Sequence, residues 1–177
     1  MAWQEAVLDF WFGLDPEQWW KEDDALDETV RERFQAVWEE QRENVPEAFL
    51  GCARDALAAI LLFDQFPRNM FRGHADQYST DPLALAVAKG AVARNYDDGM
   101  ASERRGFLYM PFEHSEQLED QDHALLLFTR LGDQKFIDSA RKHREVIARF
   151  GRFPHRNAIL GRAPRPDELA AGEVTPW

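Results

Sequence analysis

Apolar residues recur at helical spacing through almost the whole of this 177-residue chain, and nothing alternates as a strand would. Trp3, Val7, Phe10, Trp11 and Leu14 follow the i, i+4, i+7, i+8, i+11 pattern of one helix face. Leu26, Val30, Phe34, Val37 and Trp38 form a second such face, and Phe136, Ala140, His143, Ile147 and Phe150 a third. The expected class is therefore all-α, with about seven helices in antiparallel pairs joined by short turns. Capping and breaking residues place the ends. Ser79-Thr80-Asp81-Pro82 opens a helix rich in small residues that Asp97-Asp98-Gly99 closes. Ser102 caps a short helix that Pro111 ends, Ser115 caps one that runs to Gly132, and Asp133 starts the last long helix before Gly151. Pro166 to Leu169 adds a short turn of helix.

One phrase is written twice, 87 residues apart. Ala53-Arg54 leads through Ile60 and Phe63 to Phe66-Pro67-Arg68-Asn69, and Ala140-Arg141 leads through Ile147 and Phe150 to Phe153-Pro154-His155-Arg156-Asn157. Each copy reads as an apolar helix, stopped by a proline turn that ends in arginine and asparagine, residues suited to presenting donors. The first copy is apolar on almost every side, which marks a central buried helix stopped by Pro67. The pairing fits stacked helical hairpins of about 34 residues. A common cleft faced by Arg68 and Arg156 is the expected result.

The length suits a single domain, residues 1–177, large enough to bury roughly two-thirds of the surface its unfolded form exposes. Cys52 is the only cysteine, so no internal disulfide forms, and its apolar surroundings mark a buried structural thiol. No apolar run has membrane-spanning length, and MAWQEAVLDF is amphipathic rather than a basic segment followed by an apolar signal core. These features point to a cytoplasmic protein without a membrane partner. A net charge of -11 argues against nucleic acid as a partner. The charge is unevenly distributed: between Arg141 and Arg165 eight arginines and lysines meet only one carboxylate, Glu145. That basic end suits a small anionic molecule or an acidic peptide.

The segments LLFDQFPRNMFRG, YMPFEHSE and RFGRFPHRNAILGR closely resemble the signature segments of the bacterial family known as domain of unknown function 924. The resemblance extends over essentially the whole chain. It implies a helical fold resembling tetratricopeptide repeats, and it implies no reaction.

Candidate site residues gather in these same segments. Glu113 and His114, or His143, are the candidate acid and base, because a carboxylate beside an imidazole tunes it for proton transfer near neutral pH. Arg68, Asn69, Arg156 and Asn157 are expected to grip an anion, with Asp64, Glu116, Arg149, Arg152 and His155 beside them. Two readings stay open here: a binding module for an anion, and a hydrolase-type enzyme on an anionic substrate. The same charges could also pair with one another as an internal network. No two histidines have the i, i+4 spacing of ligands on one helix face, so neither a metal nor another cofactor is expected.

Overall fold

The structure, a computed structural model, describes residues 2–175, and every regular element among them is helical. The chain divides between Met100 and Ala101 into two compact units.

The first unit contains α1 (Trp3–Phe12), α2 (Asp24–Gln41), α3 (Ala53–Ile60), α4 (Phe66–Met70) and α5 (Asp81–Ala93). Its centre is α3, where every residue from Ala56 to Ile60 is buried, packed between α1 and α5. Phe66 anchors the junction with α2, its ring 4.7 Å from Phe34 and 5.6 Å from Trp11. Such a fully buried aromatic contributes about 2 to 3 kcal/mol by removal from water.

Pro67 does not stop the central helix. After α3 the chain widens into a π turn over Leu61–Gln65 and continues directly into α4, with Pro67 in the first turn. Proline here removes an amide donor and pushes away the carbonyl four residues earlier, that of Phe63. That carbonyl accepts instead from Thr80 Oγ1 at 2.7 Å, and the Asp64 carbonyl accepts from Arg68 Nη1 at 2.7 Å. Thr80 precedes α5 without capping it through its side chain; its hydroxyl is committed to Phe63 and accepts from Trp38 Nε1. The wide turn and two side-chain hydrogen bonds thus carry the helix past a residue that ordinarily breaks it.

The second unit contains α6 (Ser102–His114), α7 (Leu118–Leu131), α8 (Gln134–Phe150) and the short α9 (Pro166–Ala171). The first three pack against one another. Gly106 allows the close approach of α6 and α8, since a Cβ there would lie 2.6 Å from the Phe136 ring, which stacks on Phe128. Asp133 caps α8 as expected, accepting from the Lys135 amide, and Gly132 and Gly151 end α7 and α8 in the left-handed region.

Several expected ends are displaced. Pro111 lies inside α6, which runs on to His114, and α5 ends at Ala93, before Asp97. Ser115 follows α6 and does not cap α7, whose N-cap is Gln117. Its hydroxyl instead donates to Asp120 Oδ2. Cys52, expected to be buried, is half-buried at the start of α3. The repeated phrase also folds two ways. Its first copy runs through a π turn into α4, whereas the second stops at Gly151 and resumes as a 3₁₀ turn over Pro154–Arg156.

Candidate functional site

Glu113 lies in the last turn of α6, and this turn is fixed from α7. The Gln121 amide donates to the carbonyls of Glu113 at 2.5 Å and Ser115 at 2.7 Å, filling acceptors that a helix end leaves open. The Glu113 carboxylate, 3% exposed, then faces α8. His143 is the residue it meets. His143 Nδ1 lies 2.8 Å from Glu113 Oε1 and 3.0 Å from the Ser139 carbonyl, one helical turn earlier. Both neighbours are acceptors, so Nδ1 carries the proton and Nε2 is the nitrogen that can exchange one.

Ser139 completes the arrangement by donating from Oγ to Glu113 Oε1 at 2.5 Å. Burial pushes the Glu113 carboxyl upward. The hydrogen bond and charge of His143, the charge of His114 and the Ser139 hydroxyl outweigh it and hold the group below its ordinary value. Glu113 is therefore an anion at neutral pH although it is nearly inaccessible to water.

Three further side chains surround the pair. The His114 ring lies 6.3 Å from that of His143, and Phe153 meets His143 edge-on at 5.6 Å. Arg156 stacks its guanidinium over Phe153 at 4.5 Å and donates from Nη2 to the His114 carbonyl. His155, half-buried, is pushed down to about 4, chiefly by burial and then by the Arg156 charge. It is neutral near pH 7.

Most of the other expected site residues have partners elsewhere. Glu116 lies between α6 and α7. Its carboxylate accepts from the Phe153 amide at 2.7 Å and from both terminal nitrogens of Arg162 at 2.7 and 3.0 Å. Arg162 Nε donates to Asn157 Oδ1, Asn157 Nδ2 donates to Glu168 Oε2, and Glu168 accepts from Arg152 through both carboxylate oxygens. This chain of charges fastens the 152–162 loop. Arg149 stands apart, exposed, with its guanidinium over its own Phe150 ring.

In the first unit, Arg68 clamps Asp81 with two parallel hydrogen bonds of 2.9 and 3.0 Å and lies 3.5 Å from the fully buried Asp64. Burial opposes its charge, and Asp81 and Asp64 more than restore it. Asn69 donates to Asp27 at 2.7 Å, which Arg72 also clamps. Ser139, Gln121, Arg162, Glu168, Asp81 and Asp27 were not among the sequence candidates. Two of them left a signal: Ser139, one turn before His143 on the same helix, and Arg162, at the end of the basic segment RFGRFPHRNAILGR.

Among the described residues no three His, Cys, Asp or Glu side chains gather as a metal site requires, and no helix is long and apolar enough to cross a membrane.

Residues 7–171 match the family described as "Bacterial protein of unknown function (DUF924)". The chain belongs to this family. It is similar to a solved structure of a protein of unknown function from Agrobacterium tumefaciens, with 40% identity, 97% of each chain covered and a TM-score of 0.88. No curated protein matches the chain. The DUF924 membership agrees with the resemblance carried by the Phe-Pro and Glu-His segments, and it adds no reaction to them.

Proposed function

We propose that this DUF924 protein is a hydrolase-type enzyme for a small anionic compound, with Glu113 and His143 as its acid–base pair. The observation that supports this is the 2.8 Å contact between Glu113 Oε1 and His143 Nδ1. A buried carboxylate–imidazole pair is costly to build and contributes little net stability compared with apolar residues of the same volume. In the proposed role it fixes the imidazole tautomer and stabilises the imidazolium that forms when Nε2 takes a proton. Ser139 holds the carboxylate in register. Arg156, beside His114 and Phe153, supplies positive charge for the anionic part of the substrate.

The test compares wild type with Glu113→Gln and His143→Gln after incubation with a small-molecule extract of bacterial cells, read by mass spectrometry. Compounds consumed by wild type and untouched by both folded variants are the expected result. Identical profiles for all three proteins would overturn the catalytic reading. If native mass spectrometry then showed a retained anion, binding without turnover would take its place.

A further inference from the structure

We infer that Arg152 and Asn157 form a carboxylate-binding site that the chain fills with its own Glu168. Arg152 presents Nε and Nη2 to the two Glu168 oxygens at 2.6 and 2.8 Å, the parallel geometry by which a guanidinium recognises a carboxylate. Asn157 Nδ2 adds a third donor at 2.9 Å, and the Arg165 amide a fourth at 2.7 Å. Led by the Arg152 hydrogen bond, these contacts hold the Glu168 carboxyl down at about 2.

The receiving half is built without help from α9. Arg162 orients the Asn157 amide by donating to its oxygen, the Ala163 carbonyl holds Arg152 Nη2 at 2.8 Å, and Glu116 pins the loop through the Phe153 amide. The occupant sits on a short helix whose start is tied by a capping box between Glu168 and Arg165 and by Arg165 Nη1, which donates to the Phe150 carbonyl at 3.0 Å. Among the residues of α9 Glu168 is the buried one, 3% exposed, while Leu169 beside it is 67% exposed. Six residues do not form a stable helix alone. Beside the carboxylate opens a groove of about 520 Å³, lined by His155, Asn157, Arg162, Glu168 and Glu173 and by the apolar Leu169 and Val174. It has room for the body of a small carboxylic acid whose head group takes the place of Glu168.

Glu168 wins that place because it is tethered, with an effective concentration in the millimolar range or above. The inference is independent of the Glu113–His143 reading, since it concerns different donors and is tested by binding alone. The experiment titrates propionate, with chloride at equal ionic strength as control, into wild type, Glu168→Ala and Glu168→Gln. In the two variants propionate should raise Tm by about 4 °C at tenfold above its Kd and shift the Asn157 side-chain amide resonances saturably. Wild type should respond to neither ion, and adding Arg152→Met to either variant should abolish the response. The Gln variant keeps the size and tether of the native side chain but loses its charge, so propionate should displace it with a weaker apparent Kd than in the Ala variant, and it serves where Ala fails to fold. Equal effects of propionate and chloride, or no saturable shift in a folded variant, would overturn the inference.

Discussion

Thr80 illustrates how much one hydroxyl can do. It donates to the Phe63 carbonyl that Pro67 leaves without an amide, and it accepts from the Trp38 indole at 3.1 Å. Thr80→Val keeps the shape and leaves both buried groups without a partner, at about 1 to 3 kcal/mol each. We expect urea denaturation to give a loss of about 2 to 6 kcal/mol, and Thr80→Ser to recover most of it. A comparable argument holds for Glu113. With His143→Gln the hydrogen bond and charge that His143 sets against burial are lost, so the Glu113 carboxyl should titrate at a higher pH than in wild type. Carbon-13 NMR of the carboxylates measures this directly; an unchanged titration would mean that His143 does not hold the anion.

At the level of elements, the repeated phrase shows what decides between stopping a helix and continuing it. The two copies share the Phe-x-x-Phe-Pro frame but differ in its interior, Asp64-Gln65 in one and Gly151-Arg152 in the other. Gly151 takes φ 67, a conformation that side-chain-bearing residues enter at a cost, and ends α8 there. Asp64 and Gln65 remain helical in a wider turn, with the Phe66 amide reaching back to the Leu61 carbonyl. Gly151→Ala should therefore destabilise by about 1 kcal/mol, although its Cβ would meet nothing within 4 Å, because the penalty is conformational. Chemical denaturation measures it. The same comparison shows why Pro67 does not stop its helix. A helix continues past a proline more readily when the carbonyl it displaces finds another donor, and for Pro67 that donor is Thr80, 17 residues beyond Phe63.

At the scale of the whole molecule, His155 and the shifted carboxylates act on stability in one direction as pH falls. His155 stays neutral in the folded chain down to about 4, whereas its unfolded counterpart takes up a proton from about 6.5 downward. The unfolded state thus binds more protons in that window, and stability falls as pH falls from 6.5 toward 4. Glu168, down at about 2 against an ordinary 4.5, contributes stability that is intact above 4.5 and lost as pH falls toward 2. Glu113 and Glu116 are lowered too and act with the same sign. Tm measured from pH 8 to pH 3 should decline in two stages. His155→Gln should flatten the first stage and leave the second, and an unaltered profile in that variant would show that His155 is not held neutral.

What the sequence determined by itself was local: the helical class, most helix starts, the glycine ends at Gly132 and Gly151, and the segments in which polar side chains collect. Each follows from spacing and capping within a few residues, so neighbours in the chain suffice to reveal it. The partners of the charges were decided only by tertiary structure. Glu116 meets Arg162 across 46 positions, and Ser139 reaches Glu113 across 26. Arg156 and Arg162 are equally basic in a linear reading, yet Glu116 takes Arg162, because pairing depends on where loops bring the ends of long side chains. No periodicity encodes that choice, and the same holds for Thr80 and Phe63: hydrogen bonds between distant segments depend on distances that only packing sets.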